Sequence, residues 1–149
     1  VRRDPMAMLP FCGYNMADYW QHWINIGKKV NPDNAPKFFN VNWFRKDDEG
    51  KFVWPGFGDN MRVLDWIIKR CEGTIDAQET PIGFVPYAKD INLEGIEDEI
   101  SFERLEGILE VDKELWKEEA KGIEEFYGKF DRLPKVLAEA LQELKEKVE

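Results

Sequence analysis

Histidine and cysteine are nearly missing from this chain. Its 149 residues include one histidine, His22, and two cysteines, Cys12 and Cys71. The cysteines make no C-x-x-C pair and match no zinc spacing, which leaves buried, reduced thiols as the simplest reading and a disulfide as the open alternative. His22 falls in an aromatic helical run, where a structural role is expected. The GxxxxGK[ST] phosphate loop is also missing, since Gly50-Lys51 is followed by Phe52. GxGxxG, HExxH and GxSxG are missing as well. No apolar run nears the roughly 18 residues that a membrane span needs, and no secretory leader pattern opens the chain. There is no internal repeat and no low-complexity stretch. Carboxylates are plentiful in the C-terminal part, but Glu118-Glu119 and Glu124-Glu125 alternate with Lys113, Lys117 and Lys121. That spacing describes a solvated helix face with ion pairs three or four residues apart. The sequence therefore presents neither a catalytic nucleophile nor a metal-ligand cluster.

Aromatic residues are abundant. There are ten Phe, six Trp and four Tyr, within a chain that is 43% hydrophobic. That is enough for one folded core and excludes disorder as a whole-chain description. The formal net charge is −9, which repels a phosphate backbone and argues against a nucleic-acid partner. The charge is uneven. Residues 1–92 carry 12 acidic and 12 basic groups, whereas residues 93–149 carry 18 acidic and 9 basic ones. Fifteen of the twenty aromatics lie in residues 1–92. This divides the chain into a neutral, aromatic part, 1–92, and an acidic helical extension, 93–149. The first residue is Val1 rather than Met, so the chain is expected to be a piece of a longer one.

The patterning predicts a helix over 14–29, with Asn15 as its cap and aromatic groups at spacings of three and four. Residues 37–44, rich in aromatic and β-branched side chains, predict a strand. Glu49-Gly50 predicts a turn, and 51–54 a returning strand, so a hairpin is expected there. A second helix is predicted over 61–71, capped by Asn60, closed by Gly73, and burying Val63, Leu64, Ile67, Ile68 and Cys71. Two prolines make 80–87 extended. Ser101 and Asp112 are expected to cap helices running to Leu109 and Tyr127, and Pro134 to occupy the first turn of a last helix. The expected fold is α+β: a small sheet packed by helices, with a helical C-terminal tail.

The stretch that carries chemistry is Val41-Asn-Trp-Phe-Arg45, followed by Phe52-Val-Trp-Pro-Gly-Phe-Gly-Asp-Asn60. Glycine, proline and asparagine break the backbone around Phe57 and set a large aromatic on a loop. Two readings stand at this point. Phe44, Phe52 and Phe57 are core residues and Asn60 is a helix cap; or the three rings converge on a flat ligand and the Asn60 amide reads its edge. Stacking on a nucleobase contributes roughly 1–3 kcal/mol but does not choose between bases, whereas an amide can. A different class of reading makes Trp43, Trp54 and Phe57 an aromatic groove for a proline-rich peptide, in a non-catalytic binding module.

Five blocks resemble one family in order and spacing: Asp4-Pro-Met-Ala-Met8, Pro10-Phe-Cys-Gly-Tyr-Asn15, Val41-Asn-Trp-Phe-Arg-Lys46, Trp54-Pro-Gly-Phe-Gly-Asp-Asn60 and Thr80-Pro-Ile-Gly83. They resemble the C-terminal part of the GTP-dependent phosphoenolpyruvate carboxykinases. The likeness runs to at least Pro86 and continues more loosely through Leu115-Trp116. The Trp-Pro-Gly-Phe-Gly block is the most specific part of it.

The resemblance implies an enzyme that converts oxaloacetate and GTP to phosphoenolpyruvate, carbon dioxide and GDP, in gluconeogenesis and in the cytoplasm. It implies Mn²⁺ or Mg²⁺, an α/β nucleotide-binding domain of which this chain is a fragment, and a monomeric full enzyme. It places Phe44 and Phe57 on the two faces of guanine, Phe52 and Trp43 beside them, and Asn60 on the base edge. Backbone groups of Phe57, Gly58 and Asp59 complete the loop. Asp59 stands where Glu is commoner, with little effect expected if backbone does the work. The family's phosphate loop, reactive cysteine, metal ligands, substrate arginines and lid lie upstream. Neither Cys12, Cys71 nor His22 matches them, so no catalytic or metal residue is expected here and the stretch alone is expected to be inactive. The implied partners are a guanine nucleotide and the missing N-terminal part of the same enzyme, with no nucleic acid and no membrane.

Overall fold

A computed structural model describes residues 4–149. The chain forms two compact units. One contains the segment through Pro36 together with Asp112–Glu149; the other is Lys37–Val111. The composition boundary at 92/93 falls inside the second unit.

The first unit is helical. Helix α1, Met16–Gly27, starts at Asn15, whose side chain accepts from the Ala17 N–H. Helix α4, Lys113–Tyr127, starts at Asp112, which accepts from Glu114 and Leu115 N–H. Helix α5, Lys135–Val148, follows Pro134; the proline precedes the helix with extended ψ rather than occupying its first turn, since its ring fixes φ and leaves ψ free. Met16, Ala17, Trp20 and Phe126 form the core. Trp20 lies edge-on to Phe126 and Phe130, with centroids 5.9 and 4.9 Å away, the arrangement favoured by aromatic quadrupoles. His22 is exposed and stacks on Tyr19. The acidic face is solvated as expected: Lys117 pairs with Glu114 and Lys135 with Glu139 at exposed positions.

The second unit holds α2, Asn60–Glu72, a two-stranded antiparallel sheet of β1, Gln78–Thr80, and β2, Gly83–Val85, and α3, Phe102–Leu109, capped by the Ser101 hydroxyl. Its core joins Trp54, Trp66, Ile91, Ile96, Ile100 and Leu105. The molecule is thus a small α+β structure, but the sheet is not where the pattern put it. Residues 37–44 form no strand, and the expected hairpin with 51–54 contracts to a single bridge between Lys46 and Phe52. Asp47 closes the turn. Its carboxylate accepts from the N–H groups of Glu49 and Lys51, and its own N–H donates to the Lys51 carbonyl. Outside the turn the Val53 N–H donates to the Arg45 carbonyl, but the next ladder donor would be Pro55, which has no N–H, and the pairing stops there. Residues 80–87 are not one extended run either. Pro81-Ile82 reverses the chain, and Thr80 Oγ1 donates to the Gly83 carbonyl across that turn.

Helix α2 ends where expected, at Gly73 with φ +73°, a conformation glycine adopts without a Cβ penalty. Its buried face differs from the expected one. Trp66 is buried, with Val63 and Ile67 packed against the same core, whereas Leu64, Ile68 and Cys71 are exposed. Both sets recur at helical spacing, so periodicity alone could not choose between them. Both cysteines are free, Cys12 half-buried and Cys71 exposed, rather than fully buried. Among the described residues no helix is long and apolar enough to cross a membrane.

Candidate functional site

The Trp54–Asn60 loop is built from opposed demands. Trp54 is buried in the core of the second unit. Pro55 and Gly56 then take the chain out of it. Gly56 has φ +139°, which an L side chain rarely adopts, so only glycine turns the chain here without strain. A single 3₁₀ turn, Phe57–Asp59, leads directly into α2. Phe57 at its tip is 93% exposed, so its ring contributes little to the core, and among the described residues no other ring packs on it.

Asn60 is not the helix cap. It has helical φ and ψ and is the first residue of α2. Its Oδ1 instead accepts from the Trp54 indole N–H at 2.9 Å. Asp59 precedes the helix without capping it. Its carboxylate pairs with Arg62 Nε at 2.9 Å, both groups being largely shielded. The other guanidinium nitrogens of Arg62 donate to the Asn92 and Glu94 carbonyls at 2.8 and 3.0 Å. All three guanidinium nitrogens are therefore used, and the loop is tied to the 92–94 segment. The Asp59 N–H already donates to the Gly56 carbonyl, so it is not free to bind a ligand. Gly58 faces open space.

On the hairpin, Phe44 and Phe52 meet edge to face at 6.0 Å, and both are more than half exposed. The Lys46 ammonium lies 5.2 Å from the Phe52 centroid. The Asn42 side chain accepts from the Phe44 N–H, and Arg45 reaches the Ile108 carbonyl at 3.0 Å. Trp43 is half-buried and tilted against Trp54 at 6.4 Å. The structure thus brings Phe44 and Phe52 together, and separately joins Trp54 to Asn60. It does not place the Phe57 ring against either phenylalanine. The peptide-groove reading loses support, because Trp54 is 6% exposed and cannot line an open groove.

The hairpin turn is electrostatically set. The Lys51 N–H is the main influence holding the Asp47 carboxyl below its usual range; desolvation works against it, and Arg104 and the Glu49 N–H assist. Among the described residues no three His, Cys, Asp or Glu side chains converge as a metal donor set would. The divalent metal implied by the resemblance finds no donor set among the described residues. Two residues escaped the sequence reading: Arg62 as a three-way tie, and Trp54 as a donor to Asn60. The Asp59-x-x-Arg62 spacing was the available signal for the first. A buried indole needing an acceptor was the signal for the second.

Comparison with known proteins now has a geometry to attach to. Residues 1–147 match the family model described as the phosphoenolpyruvate carboxykinase C-terminal P-loop domain. A curated relative from Treponema pallidum (strain Nichols), named phosphoenolpyruvate carboxykinase [GTP], is 51% identical over 99% of this chain and 24% of its own length. Relatives of the same name from Arthrobacter sp. (strain FB24) and Thermoplasma volcanium are 51% and 48% identical. They are covered over 24% and 22% of their lengths, by 99% and 90% of this chain. The chain spans about a quarter of the length of the curated relatives it matches. On this likeness, the chain belongs to the GTP-dependent phosphoenolpyruvate carboxykinase family, over the stretch of its C-terminal domain.

Proposed function

We propose that this stretch is the guanine-reading wall of an enzyme that converts oxaloacetate and GTP to phosphoenolpyruvate, carbon dioxide and GDP. The observation that carries the reading is Phe57, held 93% exposed at the tip of a glycine-turned loop. Gly56 and the 3₁₀ turn hold this ring out of the core, beside the hairpin in sequence, where it is available to stack on a flat ligand. Phe57 and Phe44 stack on the base, Phe52 and Trp43 support Phe44, and Asn60 reads the edge. Phe57 and Gly58 bring backbone close to the base, while Asp59 acts through Arg62 to hold the turn.

In this reading residues 1–92 include the base site and 93–149 are scaffold, both belonging to an α/β nucleotide domain completed by upstream chain. The upstream part supplies the phosphate loop, the Mn²⁺ or Mg²⁺ ligands and the substrate groups, so the 149-residue stretch alone does not turn over. The whole enzyme works in the cytoplasm, as a monomer, in gluconeogenesis. Phosphoryl transfer relies on positioned phosphates and metal, and the role left to this stretch is the choice of nucleotide.

The test uses the full-length enzyme. Phe57→Ala should raise KM for GTP about tenfold or more, the loss expected from one stacking partner. Asn60→Ala should narrow the preference for GTP over ATP. Unchanged nucleotide kinetics in both variants would contradict the assignment.

A further inference from the structure

We propose that Trp54 is a positioning residue for base choice, acting through Asn60; the inference rests on the base-site reading above. The indole N–H is a donor with no accepting ability. The atom that Asn60 turns toward it at 2.9 Å must therefore be the amide oxygen. That contact fixes which way round the amide stands. Oδ1 faces the buried indole, and on this half-buried side chain Nδ2 donates to no other described residue. An amide free to rotate could present either oxygen or nitrogen to a ligand, and would fit a donor or an acceptor equally well. Held by Trp54, it presents a donor only.

The consequence for purines follows from their edges. Guanine carries an acceptor oxygen at position 6, whereas adenine carries an amino donor there. The Asn60 N–H donates to the first and faces another donor in the second. Hypoxanthine also has the 6-oxygen, so the Trp54–Asn60 pair separates 6-oxo from 6-amino purines and does not separate guanine from hypoxanthine. Trp54 is suited to this task by its burial. At 6% exposure, in contact with Trp43 and the core, it cannot swing away from Asn60. The buried indoles of Trp20 and Trp66 have no protein acceptor, so pairing with an amide is particular to the indole beside the candidate site.

The experiment compares Trp54→Phe with the parent full-length enzyme, using GTP, ITP and ATP. Phenylalanine keeps a ring in the core and removes the N–H. The preference for GTP over ATP should fall about tenfold, the effect of one misdirected hydrogen bond, and the fall should be carried by KM. The preference for GTP over ITP should hold. Both preferences falling together would indicate general loosening and overturn the proposal. An unchanged GTP/ATP preference alongside a weakened Phe57→Ala would overturn the positioning role and keep the base site. Silence in both variants would overturn the base site and the positioning role with it. Should Trp54→Phe fail to fold, β-(3-benzothienyl)alanine at position 54 keeps the bicyclic shape without the N–H, and the same outcomes apply.

Discussion

The two units differ in where their phenylalanines go. In the helical unit Trp20, Phe126 and Phe130 pack on one another, and Trp20 and Phe126 are buried. In the Lys37–Val111 unit Phe38, Phe44, Phe52 and Phe57 are all more than half exposed. The difference lies in the backbone beneath them. A helix repeats every 3.6 residues and gathers its rings into one buried stripe. The 37–60 segment is irregular, with Gly50 at φ +78° and Gly56 at φ +139°. Its turns lift side chains out of the core instead of collecting them. The second unit thus keeps Trp54 and Trp66 for its core and sets four phenylalanines at its surface.

The comparison can be broken by substitution. Trp20→Ala should cost about 3–5 kcal/mol of stability, as large core truncations do, whereas Phe57→Ala should stay within about 0.5 kcal/mol. Urea denaturation of the full-length variants measures both. Equal losses would erase the distinction between the units. A smaller effect is expected from Asp112→Ala, which removes a carboxylate that accepts two N–H groups at the start of α4. About 1 kcal/mol should be lost, with nucleotide kinetics unchanged because Asp112 is not among the residues proposed for the base site.

The smallest effect is a pH dependence confined to the other unit. The folded Asp47 carboxyl is held below its ordinary value, mainly by the Lys51 N–H. Its stabilising contribution is therefore present above the ordinary carboxylate range and lost as pH falls through the lowered folded value. Asp47→Asn should be less stable than the parent near neutrality, and the gap should begin to narrow as the pH falls below about 4 and close as it passes the lowered folded value. Urea midpoints collected across that range would show whether the gap closes or stays constant.

Much of the helical architecture was legible because local chemistry decides it. Asn15, Ser101 and Asp112 each accept from N–H groups at the helix starts they were expected to mark. The sheet was not legible. Residues 37–44 have strand composition, yet a strand needs a partner ladder, and the ladder that starts at Arg45 and Val53 meets Pro55, which has no N–H to donate. The face of α2 was only half legible, since Leu64 and Ile68 share the spacing of Val63 and Ile67, and tertiary contact chose between them. The loop around Phe57 was legible as a backbone break. The Trp54–Asn60 hydrogen bond was not, because asparagine beside a helix start reads first as a cap. Residue type indicated an amide at this place; only the fold showed which of its atoms is engaged.

The central claim is that Phe57 is displayed to hold a guanine base. Tryptophan fluorescence of the full-length enzyme, titrated with GDP and with ADP, tests it most directly. The account predicts that the parent binds GDP more tightly than ADP, and that Phe57→Ala weakens GDP binding about tenfold or more while the fold is retained. A Phe57→Ala enzyme that binds GDP as tightly as the parent would contradict it.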